Sequence, residues 1–455
     1  MVTALSYRGH LRACLRLGMP LAMSHVAQMS IRLSDAIMLG WYSVEALAAE
    51  VLGGTLFYVL FIIGSGFAWA VMPLVAEAQA KGDETSVRRV ARMGGWLSVL
   101  FGLLTLPLMI FAAPIFRALG QDPDLAELAG EYTQVVGFTL LPALLVMVLK
   151  SYLSALERTQ VVMWVTLAAL PLNVLVNYIL IFGNWGAPEL GVRGAAIASL
   201  LVTAASFVVL AIYAARILPQ HALFQRVWRP DWAAFGDVFR LGWPIGITNL
   251  AEVGLFAAST MMMGWLGTVA LAAHGIALQI SALTFMVHMG LSNVATVRAG
   301  QAYGARNLTS LRDGGKVILT LSSVFALVTV VLFLVLPEPM IALFMHPEET
   351  EKAAVMAVGV GLLAAAALFQ LADALQVMAL GLLRGVQDTK VPMIIASISY
   401  WAVGVPVSYW LGFGVGLGGV GIWLGLALGL ALAAVFLLWR FWGFSLRRLE
   451  WTVPG

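Results

Sequence analysis

The sequence is short of charge. Only 11% of its 455 residues are Asp, Glu, Lys or Arg, against about 25% in a soluble domain. That deficit excludes a soluble enzyme and a chain kept open by its own charge. There is one cysteine, Cys14, so no internal disulfide forms and a disulfide scaffold is excluded. A net charge of +3 is too small to point to a nucleic-acid partner. No Gly-rich phosphate loop, nucleophile elbow or metalloprotease motif occurs. Nucleotide hydrolysis is therefore not expected as an energy source, no organic cofactor is expected, and the chain does not read as an enzyme.

Apolar sequence is abundant, at 61%. A membrane-spanning helix takes about 20 mostly apolar residues. Twelve such runs are bounded by charge, glycine or proline: 15–39, 46–76, 93–117, 130–154, 159–183, 192–216, 238–263, 270–297, 315–345, 354–383, 391–413 and 418–440. They are continuous, unlike the alternating segments of a membrane β-barrel. The predicted fold is an all-α integral membrane protein with twelve transmembrane helices. The first run begins like a signal peptide after His10, Arg12 and Arg16. It is too long for one, and no small-residue cleavage pattern follows Asp35, so a retained span is expected.

With these spans, 22 of the 26 basic residues fall on one side of the membrane. The other side holds only Arg117, Arg193 and Lys352, and Arg32 alone falls within a span. Lys and Arg collect in cytoplasmic loops, so both termini are predicted cytoplasmic.

The two halves repeat at an offset of about 224 residues. Arg16-Leu17-Gly18-Met19-Pro20 answers to Arg240-Leu241-Gly242-Trp243-Pro244, and Gly40-Trp41 to Gly264-Trp265. Gln79-Ala80-Lys81-Gly82 meets Gln301-Ala302-Tyr303-Gly304. Six spans per half give both halves the same orientation, a parallel repeat. Two pseudo-symmetric six-helix bundles, 1–220 and 221–455, are expected around a central cavity, joined by a linker near 217–237. Pro20 and Pro244 occupy equivalent places in the first helix of each half. They are candidate hinges, or prolines tolerated within a bundle.

A carboxylate at membrane depth costs several kcal/mol unless paired, protonated or hydrated. Three are singled out: Glu252 in the seventh span, Asp373 in the tenth, and Asp35 in the outer part of the first, about 12 Å from that span's centre. By the repeat, Glu252 answers to Gln28 and Asp35 to Ser259, seven apart on one face of each helix. Asn173 and Asn177, four apart on the fifth span, are expected to meet Asp35 through their side-chain oxygens. Carboxylates with amide oxygens suit a monovalent cation or a proton. Zinc spacing and clustered calcium ligands are absent from the sequence. The bland alternative is that each acid bridges helices, with Arg32 pairing Asp35. Met261 and Met286 either line a promiscuous cavity or simply pack. His25, His274 and His288 read as packed polar residues, and Glu348, Glu349 and Glu351 as a solvated outer loop.

Several stretches, in order and over nearly the whole chain, resemble the NorM branch of the multidrug and toxic compound extrusion (MATE) family. They include Phe239-Arg240-Leu241-Gly242-Trp243-Pro244, Glu252-Val253-Gly254-Leu255-Phe256-Ala257, Gly186-Ala187-Pro188-Glu189-Leu190-Gly191, Asp373-Ala374-Leu375-Gln376 and Leu383-Arg384-Gly385. The resemblance implies two six-helix lobes around a V-shaped cavity in a bacterial inner membrane. It implies export of bulky amphipathic organic cations against an inward flow of Na⁺ or H⁺, by alternating access. By position, Glu252 and Asp373 match acids that couple the cation, and would ligate Na⁺ if sodium is the coupling ion. Asp35, Asn173 and Asn177 match the polar cluster of the first lobe. Gln28, Ser259, Met261 and Met286 are candidates for the substrate cavity, and a monomer is expected. Two departures stand out: Phe369 where NorM-like sequences carry tyrosine, and Arg32 one turn from Asp35. The rival reading is a flippase for a lipid-linked precursor. Such proteins tend to line the cavity with basic residues, whereas here one in-span arginine faces three acids.

Overall fold

The computed structural model describes residues 6–345 and 351–450, so Glu348 and Glu349 lie outside the described residues. Every element of regular structure among these residues is helical. In order they are α1 Tyr7–Tyr42, α2 Val44–Ala80, α3 Glu84–Ile110, α4 Ala112–Ala118, α5 Pro123–Ala155, α6 Thr159–Phe182, α7 Val192–Ile217, α8 Trp232–Leu266, α9 Thr268–Gly304, α10 Leu308–Val335, α11 Pro337–Ala342, α12 Lys352–Gly385, α13 Lys390–Gly414 and α14 Gly418–Leu449. Short 3₁₀ turns follow α6 and α7. Eleven of these helices are long and apolar enough to cross a membrane, so the chain is an all-α, multi-spanning membrane protein. The 36-residue α1 has the length but not the apolarity, because it carries Arg32, Asp35 and a series of Ser, His and Gln side chains.

Two predicted spans are not single helices. The run 93–117 breaks at Phe111, whose amide closes on the Pro107 carbonyl before α4 begins. The run 315–345 breaks at Leu336, because Pro337 has no N–H with which to continue α10. α13 runs through Pro406 by widening into π-helical turns at Ile398–Gly404 and Trp410–Gly414. Such turns re-route backbone hydrogen bonds around a missing donor.

Local signals fix the helix starts. Ser43 accepts from the Ala46 amide at 2.9 Å to open α2. Asp83 and Asn307, 224 residues apart, accept from the amides of Ser86 and Ser310, each at 2.9 Å, to open α3 and α10. Side-chain caps satisfy amides that a helix start leaves orphaned. The preceding turns match as well. Gly82 and Arg306 are both left-handed, at φ 72° and 52°, and the next amide bonds back to Ala78 or Ala302. The structural equivalent of Gly82 is therefore Arg306, not Gly304.

Contacts divide the chain into two compact units, Met23–Gly246 and Met1–Ala22 with Ile247–Gly455. The divisions fall inside α1 and α8, each two residues beyond Pro20 or Pro244, rather than in the linker near 220. Both helices continue through their prolines. In one unit α2 packs backbone to backbone on the first part of α8. A Cβ on Gly66 would lie 2.4 Å from the Gly242 carbonyl oxygen. In the other unit α9 packs the same way on the first part of α1, where a Cβ on Gly290 would lie 2.6 Å from the Ala22 amide nitrogen. Gly66 and Gly290 are again 224 apart, and only glycine admits so close an approach.

Candidate cation sites

The first site lies in unit Met23–Gly246, where the C-terminal part of α1 meets α6. Asp35 is 8% exposed, and Asn173 and Asn177 are fully buried. The two asparagines are one turn apart, so both side chains leave α6 on one face. Asn173 Nδ2 donates to Asp35 Oδ1 at 2.6 Å, and Asn177 Nδ2 donates to the same oxygen at 2.5 Å. The sequence reading had the amide oxygens meeting Asp35. A carboxylate only accepts, so the nitrogens turn to it, and both amide oxygens stay buried without a partner. Ser24 and Thr166 hydroxyls, 3.0 Å apart, tie α1 to α6 lower down.

Arg32 does not pair with Asp35 in the structure. Its guanidinium stacks over the Tyr58 ring, 5.2 Å from the centroid, in a cation–π contact, and the carboxylate is met by the two amides and by Ser199 of α7. A residue passed over in the sequence joins the site. Glu50, on α2, is half-buried and close enough to Asp35 and Arg32 to feel both charges. It lies inside the predicted span 46–76 but near its end, where a polar residue reads as interfacial.

The second site lies in unit Met1–Ala22 with Ile247–Gly455, between α8, α12 and α13. Asn249 and Glu252 stand three apart on α8, and Gln370, Asp373 and Gln376 recur every three on α12, so each set shares a face. Asp373 is 2% exposed, and Gln370 and Gln376 are fully buried. Their polar atoms are poorly met. Glu252 Oε1, Asp373 Oδ1, Gln376 Oε1 and both polar atoms of Gln370 are buried without a partner. Gln376 Nε2 does have a partner, donating to the Tyr400 hydroxyl from α13. The Trp401 indole donates to the Ala251 carbonyl at 3.1 Å and so holds α13 against α8 beside Glu252. Native interiors leave few such groups unmet, so this polar cluster suits water, a cation or a proton.

Arg384 completes this site. It lies one residue beyond the apolar run 354–383, where a basic residue reads as a loop, but α12 runs on to Gly385 and turns the side chain inward, 7% exposed. Its Nη2 donates to Asn249 Oδ1 at 3.1 Å, and it interacts electrostatically with Glu252.

A cavity of about 220 Å³ opens on Asp373. Phe256, Leu278, Gln279, Ser281, Ala282, Phe285 and Phe369 form its other walls. Phe369 packs edge-on between Phe256 and Trp423, with ring centroids 5.8 and 5.3 Å away. The Trp423 indole donates to His274 Nδ1 at 3.1 Å, so the other ring nitrogen carries the proton toward Thr260. His274 is a satisfied structural histidine. Ser259 is buried and bonds the Phe256 carbonyl of its own helix at 2.7 Å. Met261 is 63% exposed, while Gln28 and Met286 are half-buried. Among the described residues, no three His, Cys, Asp or Glu side chains converge as a multivalent metal site would require.

Comparison with known proteins agrees with this architecture. The MatE family model matches the chain twice, over residues 20–179 and 244–410, and the two matches begin at Pro20 and Pro244. A probable multidrug resistance protein NorM of Rhizobium meliloti (strain 1021) is 45% identical over 99% of this chain and 96% of its own length. Another probable multidrug resistance protein NorM, of Agrobacterium fabrum, is 43% identical over 96% of this chain and 94% of its own length. A crystal structure of a MATE protein in complex with MaD3S superposes with a TM-score of 0.88 at 20% identity, covering 97% of each chain. The chain therefore belongs to the MatE family, and is a membrane transporter closely related to NorM-type multidrug extrusion proteins.

Proposed function

We propose that this transporter exports amphipathic organic cations in exchange for Na⁺ or H⁺, with Glu252 and Asp373 holding the coupling ion. The observation that carries the reading is the group of buried, partnerless oxygens on Glu252, Asp373 and Gln376 beside an aromatic-walled cavity. Two carboxylates against one guanidinium leave that site one positive charge short of neutral. A single Na⁺ or proton supplies it, and the acids then tolerate the apolar interior. Phe369 brings no hydroxyl to the ion and instead offers its ring to an organic cation.

Asp35, with Asn173, Asn177 and Glu50, forms the cation-responsive cluster of the other lobe. Gln28, Ser259, Met261 and Met286 are retained as substrate-path candidates on the strength of the repeat alone. The lobes of the repeat are 1–220 and 221–455, and α1 is the twelfth span. Both termini lie in the cytoplasm of a bacterial cell, and the protein works as a monomer in the inner membrane. Pro20 and Pro244 act as hinges, a role favoured by the unit divisions two residues beyond each. Coupling follows from linkage, because cation and substrate stabilise different facing states.

In proteoliposomes, Glu252→Gln and Asp373→Asn are expected to abolish ion-driven efflux of a fluorescent organic cation while melting temperature stays near wild type. Full antiport by both variants refutes these roles. Phospholipid-headgroup flipping in the same vesicles would favour the flippase reading.

A further inference from the structure

The first three turns of α1 carry two files of side chains. Arg8, Arg12 and Arg16 recur every four residues, and so do Leu11, Leu15 and Met19. Residues at that spacing share a helix face. All six are exposed, Met19 at 63%, and together they line an open groove of about 360 Å³. The opposite face, His10, Cys14, Leu17 and Leu21, is buried in its own unit. No Asp or Glu precedes Asp35 in the chain. A nearby acid, Asp313, accepts from the Tyr7 hydroxyl at 3.2 Å, and among the described residues none of the three guanidiniums has an ion-pair partner.

We propose that this groove binds an anionic phospholipid, with Arg8, Arg12 and Arg16 on the headgroup phosphate and Leu11, Leu15 and Met19 against the acyl chains. Arg8 to Arg16 spans about 12 Å of helix, while the polar layer on each side of a bilayer is roughly 5–8 Å thick. The files therefore run from the headgroups into the edge of the hydrocarbon. There, arginine extends its charge outward along an apolar stem. Guanidinium forks match phosphate oxygens in pairs. Retaining a helix end in the cytoplasm requires positive charge, but not its alignment beside an exposed apolar file. A free anion would have no use for that file, which selects the lipid over soluble phosphate. The inference uses the membrane-spanning fold and is independent of the cation sites.

The test is titration of the purified full chain in neutral detergent with phosphatidylglycerol, phosphatidylcholine or inorganic phosphate. Lipid binding is read by native mass spectrometry, and phosphate by the shift in melting temperature. Phosphatidylglycerol is expected to bind and phosphatidylcholine to be lost. Each arginine near an anionic surface contributes about fivefold, so R8Q/R12Q/R16Q should weaken phosphatidylglycerol on the order of 100-fold. Because neutralising all three also tests insertion, L11Q/L15Q keeps every charge and is expected to weaken the lipid as well. R447Q/R448Q, at the far end of the chain, should bind like wild type. Equal retention of the two lipids, undiminished binding by both groove variants, or a melting shift from phosphate as large as that from phosphatidylglycerol would each overturn the proposal.

Discussion

Asp35 and Asp373 are both buried carboxylates, yet their surroundings ask for different things. Asp35 already receives two amide protons, whereas Asp373 Oδ1 and Glu252 Oε1 receive none. The balance at the second site rests on Arg384. Removing its charge leaves two acids that need two monovalent cations, so Arg384→Gln is expected to raise the coupling charge moved per substrate from about one to about two. Arg384→Lys should keep it at one. Reversal potentials in proteoliposomes measure the ratio, and an unchanged ratio in Arg384→Gln contradicts the charge balance. The acids themselves were legible, because a charge inside an apolar run is conspicuous. Arg384 was not, because the run ends one residue before it and a basic residue there reads as a loop. Asn249, Gln370 and Gln376 are neutral, so a scan for charge passes over them. Their spacing by three residues was the available signal.

Among the elements, the helices were legible from apolar runs, but not every break inside a run was. Phe111 and Leu336 are themselves apolar; Pro337 marked the second break in the sequence, but the first shows only in backbone geometry. The 224-residue repeat was legible in Gly, Pro and Trp, and it reappears in the caps, turns and crossings of the folded chain. Asp83 and Asn307 cap equivalent helices, Gly82 and Arg306 make equivalent turns, and Gly66 and Gly290 admit equivalent crossings. Gly66→Ala and Gly290→Ala each press a methyl into backbone and are expected to cost about 1–3 kcal/mol. Gly264→Ala meets nothing within 4 Å and gains helix propensity of up to about 1 kcal/mol. Denaturant unfolding in detergent compares the three. Equal stability of Gly66→Ala and Gly264→Ala contradicts the tight crossing.

For the whole molecule, the polar residues that defeat an apolarity criterion in α1 include Asp35 and Ser24 of the first site, together with His25, Gln28 and Arg32. A hydropathy reading weakens wherever polar groups are buried, because a buried carboxylate or amide lowers the apolarity of the helix that carries it. The exchange of α1 and α8 segments between units was not legible either, since it depends on packing at Gly66 and Gly290 rather than on composition.

The central claim is that an ion gradient moves the organic cation through Asp35, Glu252 and Asp373. The most direct measurement imposes a Na⁺ gradient or a pH gradient, separately, on proteoliposomes loaded with a fluorescent organic cation, for the wild-type chain and D35N/E252Q/D373N. Uphill movement is predicted in the wild type under at least one gradient, ceasing when an ionophore collapses it, and absent from the triple variant. Undiminished uphill movement in the triple variant would contradict the account.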